Sequence, residues 1–318
     1  MVNQTAAADR VMMGSLEVSP MGIGTWAWGD RLVWGYQGQA SDPDLRTTYE
    51  ATLAAGINWF DTAEMYGFGR SEKLLGEFMR QTQTRPLIAT KFIPLPWRLR
   101  KGSLISALKG SLRRLGISQV DLYQIHWPLQ MVAIETWMEG LADAVRDGLT
   151  KTVGVSNYNV EQTQRAITAL SKRSVPLASN QVEYSLLERT PETSSLLKLC
   201  RDNGVTLIAY SPLAMGMLTG KYTPDNPPKG VRGRQYKPDY LAAIQPLIAQ
   251  LREIGAAHGG KTPAQVALNW TICKGTIPIP GAKNVRQLQD NAGALGWRLT
   301  EGEVAALDAL ADQVNRSQ

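Results

Sequence analysis

The sequence predicts an α/β protein, a single (β/α)8 TIM barrel over residues 1–318, and three observations carry that expectation. Short apolar runs alternate with amphipathic helical stretches, the sign of βαβ units and a parallel sheet. Eight such runs are present, and a barrel of about 250 residues plus insertions accommodates the length. The third observation is chemical. Asp61, Lys91 and His126 each close one of three successive runs, and Tyr66 follows Asp61 by five residues. In a barrel of parallel strands those ends face one side of the molecule, where catalytic residues gather.

The expected strands are residues 21–25, 57–61, 87–91, 122–126, 152–156, 178–183, 206–211 and 276–281. Helices fit between them at 43–55, with Asp42 as N-cap, and at 71–80, 102–115, 133–147, 160–170 and 192–202. The last of these is opened by Thr190-Pro191, with Pro near the first turn, and stopped by Asn203-Gly204. Between the seventh and eighth strands lie a Gly- and Pro-rich loop, 214–237, and helical stretches 240–258 and 263–274. A long loop inside a compact domain is usually functional or disordered, and this one leaves the expected active face. A terminal helix over 301–314 begins with a capping box, Thr300 followed three residues on by Glu303.

Composition excludes several classes. Hydrophobic content of 43% with 19% charge describes a globular chain with a real core. A net charge of +6 without a Lys/Arg block argues against a nucleic-acid partner. No apolar run reaches the roughly 18 residues of a membrane span, and residues 1–10 lack the apolar stretch of a signal peptide. Cys200 and Cys273, far apart and outside any Cys-x-x-Cys pattern, read as free thiols in a reducing, cytoplasmic setting.

The four strand-end residues make chemical sense together. A phenol near pKa 10 is a poor acid at neutral pH unless its surroundings change it. An ammonium nearby favours the phenolate, and a histidine can hydrogen-bond the phenol or a carbonyl. Lys91 buried alone would lose its charge, so Asp61 is needed to hold it. Singly, each has an ordinary reading: Asp61 a turn cap, Tyr66 a packed aromatic, Lys91 and His126 solvated strand tips. His258, ending a helix before Gly259-Gly260, reads as a dipole partner at that helix's C-terminus.

Asp61, Tyr66, Lys91 and His126, with the flanking words Asp61-Thr62-Ala63 and Ile125-His126-Trp127-Pro128, resemble the tetrad of the aldo-keto reductases, and the match runs along nearly the whole chain. The resemblance implies NADPH as cofactor and a small-molecule carbonyl substrate, with hydride delivered to the carbonyl carbon while Tyr66 protonates the oxygen. It also implies that residues 11–18 form a hairpin closing the lower end of the barrel. The implied cradle comprises Gly24, Thr25, Trp26 and Asp61; Ser156 and Asn157, gripping a carboxamide; Gln181; Tyr210, stacking on the nicotinamide, with Ser211, Pro212 and Leu213; and Gly216, Leu218, Gly220 and Lys221, folding over the pyrophosphate.

The phosphate end is expected after the eighth strand. There Pro280, Gly281, Ala282 and Lys283 lead into a helical stretch, 285–294, whose free N–H groups attract anions. Lys283, with Arg286, is placed to favour a 2′-phosphate, and family positions near the adenine map to Gln287, Asp290 and Asn291. One branch of the family carries arginine at the place of Gln287 and lysine at that of Gly281. This chain lacks both and is more similar to the bacterial and potassium-channel-β-like branch. Gly22-Ile23-Gly24-Thr25-Trp26-Ala27 fits a dinucleotide fingerprint, yet it runs into a Trp-rich loop instead of opening a helix.

Trp26, Tyr66, Trp97, His126 and Trp127 are the expected walls of the substrate pocket, suiting aromatic or medium-sized aldehydes and ketones. Arg98 and Arg100 read as surface residues. Two other functions compete with this reading. Channel-β relatives keep barrel and cofactor, so a slow-turnover redox sensor for a protein partner is the alternative. A metal-dependent hydrolase is disfavoured: the chain has two histidines and no two-His-plus-carboxylate spacing, so no metal is expected.

Overall fold

A computed structural model of the chain describes residues 9–31, 34–129, 131–229, 233 and 236–316. A hairpin, β1 (Val11–Met13) and β2 (Leu16–Val18), precedes eight parallel strands: β3 (Ile23–Gly24), β4 (Trp59–Asp61), β5 (Leu87–Phe92), β6 (Val120–Ile125), β7 (Thr150–Ser156), β8 (Leu177–Glu183), β9 (Thr206–Tyr210) and β10 (Ile277–Pro278). Each strand bonds to the next in chain order. The ring closes where the Gly22 N–H donates to Pro278 O at 3.0 Å and the Gly24 N–H to Pro280 O at 3.1 Å, and a bridge pairs Gly24 with Gly281. A side chain at Gly24 would sit 2.9 Å from Ile279 O, so this seam needs glycine.

The first and eighth strands are shorter than expected, two residues each. Pro278 and Pro280 have no N–H to donate, so the ladder there is reduced to isolated bonds. The hairpin turns at Gly14 and pushes Met13, Leu16 and Val18 into the lower barrel, against Trp59, Leu122 and Ile208. A larger apolar core lies between the sheet and the outer helices. With both faces covered, the strands read as nearly continuous apolar runs. The upper interior is the exception, and it is polar.

The outer helices are α1 (Asp42–Ala54), α2 (Arg70–Thr82), α3 (Lys101–Leu115), α4 (Ile134–Arg146), α5 (Val160–Ser171), α6 (Thr190–Thr193), α7 (Leu196–Asp202), α8 (Pro238–Ala243), α9 (Gln245–Ala257), α10 (Pro263–Cys273), α11 (Val285–Ala292) and α12 (Glu301–Arg316). Asp42 is not the cap of α1; it lies in the first turn, where its carboxylate accepts from the Tyr36 hydroxyl at 2.6 Å and Arg70 at 2.6 Å. The stretch expected at 192–202 is two helices, because Ser195 turns the chain through a left-handed conformation, φ +67°. The one expected at 240–258 also divides, at Ile244, where Pro246 withholds a donor from the first turn of α9. The Thr300–Glu303 capping box is formed, with the Glu303 N–H reaching Thr300 Oγ1 at 3.3 Å and Glu303 Oε2 accepting from the Thr300 N–H at 2.8 Å. Part of the 214–237 loop, residues 230–232 and 234–235, lies outside the described residues.

Candidate active site

Asp61 ends β4, Lys91 lies one residue before the end of β5, and His126 follows β6. Tyr66 begins a single turn, Tyr66–Gly69, that carries the chain into α2. That turn is tight. Gly67 takes φ +57°, a side chain there would meet Gly29 O at 2.6 Å, and Phe68 also adopts a left-handed φ of +53° while lying 98% exposed. Glu64 secures the loop by accepting from the Ile93 N–H at 2.9 Å and from Arg98 at 2.5 Å. Arg98 is therefore held over the Phe92 ring by an ion pair, not free at the surface as expected.

The four residues meet. Lys91 Nζ donates to Asp61 Oδ1 at 2.5 Å, to Thr62 O at 2.9 Å and to Tyr66 Oη at 3.2 Å. An ammonium has three hydrogens and no lone pair, so all three are committed. Asp61 Oδ2 accepts from the amides of Gln181 at 2.9 Å and Gln124 at 3.3 Å. The rings of Tyr66 and His126 stand edge to face, 5.9 Å apart at 80°. The Asn157 amide donates to His126 O at 3.0 Å, and the Tyr210 hydroxyl donates to Asn157 Oδ1 at 3.0 Å.

Burial and charge compete at this site. Burial pulls the Lys91 ammonium down, but Asp61 and Tyr66 outweigh it and the net shift is upward. For Tyr66, burial raises the phenol and exceeds the lowering by Lys91, so the shift opposes the expected pull toward phenolate. Tyr66 is a neutral phenol at neutral pH. Burial, with Lys91 nearby, drives His126 down to about 3, and its Nδ1 has no partner among the described residues. At neutral pH, then, the site holds a cation–anion pair, a phenol and an uncharged imidazole.

A cavity of about 1830 Å³ opens over this group. Of the expected residues it brings together Gly24, Trp26, Asp61, Tyr66, His126, Trp127, Ser156, Asn157, Gln181, Tyr210, Ser211, Pro212, Leu213, Gly216, Lys221, Pro280, Gly281, Lys283, Gln287, Asp290 and Asn291. Thr25 is buried instead, its hydroxyl donating to Asp61 O at 2.9 Å. Leu218 and Ala282 are buried in the core, and Gly220 caps a turn with its carbonyl taken by Arg252. Trp97 does not line the cavity; it points outward, 74% exposed. Trp28 is fully buried, donating to Ala282 O at 2.8 Å.

Local backbone geometry marks the cavity edge. Asn157, Ser211 and Met215 border it in left-handed conformations, φ +63°, +49° and +54°, a cost that collects at ligand clamps. At the far side, Asn284 caps α11 by accepting from the Gln287 N–H at 3.0 Å, while Gln287 Oε1 accepts from the Lys283 N–H at 2.8 Å. Asp290 is held by Thr262 at 2.9 Å. Trp34 crosses to this side, its carbonyl taking Lys283 Nζ at 3.3 Å and its ring meeting Trp26 edge-on at 5.6 Å. Thr262 and Met215 also border the cavity, and nothing local in the sequence distinguishes them. His258 caps the C-terminus of α9, as expected, and also bridges to α12 by pairing with Glu303 at 2.8 Å, its ring lying tilted at 39° beside Trp297 with centroids 4.7 Å apart.

A closed parallel barrel with a buried Lys–Asp pair behind a phenol, under a cavity sized for a large ligand, defines a class of barrel oxidoreductase. The description "Aldo/keto reductase family" matches residues 20–312, and the chain belongs to that family, as an NAD(P)H-dependent oxidoreductase. It is 45% identical over 325 residues to the chloroplastic pyridoxal reductase of Arabidopsis thaliana, covering 97% of this chain and 87% of that protein. Its fold superposes on a glycerol dehydrogenase from Gluconobacter oxydans with TM-score 0.85 at 28% identity, covering 97% of each chain. An aldo-keto reductase from Klebsiella pneumoniae, solved in complex with NADPH, matches with TM-score 0.75 at 28% identity, covering 93% of this chain and 92% of that one.

Proposed function

We propose that the enzyme uses NADPH to reduce an aldehyde to an alcohol, with Tyr66 as proton donor and aromatic aldehydes of the pyridoxal type as its substrate class. The observation that carries this reading is the saturation of Lys91. Its three hydrogens go to Asp61, Thr62 and Tyr66, so Tyr66 Oη accepts from the ammonium and turns its own hydrogen elsewhere. Tyr66 lines the cavity, which is where that hydrogen finds an acceptor.

The cavity fits a dinucleotide. At about 1830 Å³ it exceeds the roughly 300–1,000 Å³ of an ordinary small-molecule site, leaving room for cofactor and substrate together. Ser156, Asn157 and Gln181 offer polar groups for a carboxamide, Tyr210 an aromatic face, and the start of α11 with Lys283 and Arg286 an anion site. Bound there, the nicotinamide supplies hydride to the carbonyl carbon. Tyr66 gives its proton to the oxygen as that oxygen becomes alkoxide, a far stronger base than the phenolate left behind. The Lys91 charge steadies that phenolate, and Asp61 keeps Lys91 ionised. Neutral His126 is free to donate one ring N–H to the same oxygen. Trp26, Trp127 and the Trp34 ring make a flat-walled apolar approach for an aromatic ring. Two free thiols fit a reducing, cytoplasmic setting.

The test is steady-state NADPH oxidation with pyridoxal, other aromatic aldehydes and aliphatic aldehydes of similar size. The expected result is turnover of order 1 s⁻¹ or faster, with kcat/KM highest among the aromatics. Turnover of a few per hour on every carbonyl despite tight NADPH binding would overturn it.

A further inference from the structure

We propose that Gln124 is a positioning residue for the reaction: its amide holds the Asp61 carboxylate in place whenever Gln181 is drawn to a ligand. The inference rests on the roles given above to Asp61 and Lys91.

Lys91, Gln124, Gly154 and Ser179 form one row across β5 to β8, each in register with the next. Lys91, Gln124 and Ser179 are all fully buried beneath the cavity floor. A buried primary amide is costly unless its donor and acceptor are both used. Here Gln124 Nε2 donates to Asp61 Oδ2 at 3.3 Å, and Oε1 accepts from Ser179 Oγ at 3.5 Å. The amide's orientation follows from chemistry, since only its nitrogen can face a carboxylate. Room for it is made by a glycine. A side chain at Gly154 would lie 2.3 Å from Ser179 Oγ and 3.1 Å from Gln124 Cγ. The layer is thus built around this one amide.

Asp61 Oδ2 has two amide donors, and they differ in access. Gln181 lines the cavity; Gln124 does not. Gln181 gives one amide hydrogen to Asp61 and has a second hydrogen and its oxygen to offer a carboxamide in the cavity, so a ligand that reorients this amide draws it from Asp61. Gln124 touches neither substrate nor cofactor and serves Asp61 alone. When Gln181 turns to a ligand, Gln124 is the donor that keeps Oδ1 aimed at Lys91. This role predicts effects on turnover that spare binding.

Two variants test it. Gln124→Met keeps the shape and removes the donor. Loss of a hydrogen bond to a charged group supports an expected fall in kcat of about tenfold or more, with KM and the apo-protein affinity for NADPH, measured by fluorescence titration, within about twofold of wild type. Gln181→Met in parallel should weaken NADPH, which separates the two amides. Gln124→Glu gives a signature that a packing role would not. Protonated, the new carboxyl donates to Asp61; ionised, it repels it. Its kcat should therefore fall as pH rises through a range where wild type is flat. Unchanged kcat in Gln124→Met, a loss of NADPH affinity equal to that of Gln181→Met, or a Gln124→Glu profile parallel to wild type would each overturn the proposal. If wild type itself shows no turnover, the proposed reduction fails first; an altered NADPH affinity in apo Gln124→Met still refutes the division of labour.

Discussion

Replacing Lys91 by methionine removes one half of an ion pair in which Nζ is 0% and the Asp61 carboxylate 1% exposed. Asp61 Oδ2 keeps its two amides, but Oδ1 loses its partner and the charge stays behind in the barrel. Breaking a buried pair from one side costs about 3–5 kcal/mol, because the abandoned charge has no compensation. A domain of this size shifts by about 2 °C per kcal/mol, so the expected fall in Tm is about 6–10 °C. Thermal melts by circular dichroism at pH 7 measure it. Combining the change with Asp61→Asn removes both charges and should recover most of the loss, since replacing a whole pair is often neutral. A single variant melting within about 1 °C of wild type, or a double variant weaker than the single, would refute the reasoning.

Lys283→Ala should weaken NADPH at least tenfold and NADH little, measured by fluorescence titration; equal losses would remove Lys283 from a 2′-phosphate site. His126 is held near 3, against about 6.5 in an unfolded chain, so between those values the unfolded state binds more protons. Stability should consequently fall as pH drops from about 6.5 toward 3, and His126→Gln should flatten that fall in melts taken across pH. The same depression means that His126 contributes no break to kcat/KM between pH 5 and 8.

Much of the barrel and the core of the site was legible because parallel strands present their ends to one face. Asp61, Lys91 and His126 each close an apolar run, and that alone brings them within reach of Tyr66. What escaped depends on distant parts of the chain. Nothing near Arg98 announces that Glu64 will capture it, and nothing near Trp28 announces the Ala282 carbonyl that buries it. Trp97 follows a strand like Trp26 and Trp127, yet its loop turns it outward. The shift of Tyr66 illustrates a different limit. Lys91 lowers and burial raises, and only the depth of the site decides which is larger. Gln124 lay inside an apolar run as its one amide, a signal that had meaning only once Asp61 was seen beside it.

The most direct test of the central chemistry is the initial rate of NADPH oxidation with a reactive aromatic aldehyde, wild type beside Tyr66→Phe. The proposed acid role predicts a fall in turnover of about 10²-fold or more, with NADPH affinity within about twofold. Near-normal turnover in the variant would contradict it.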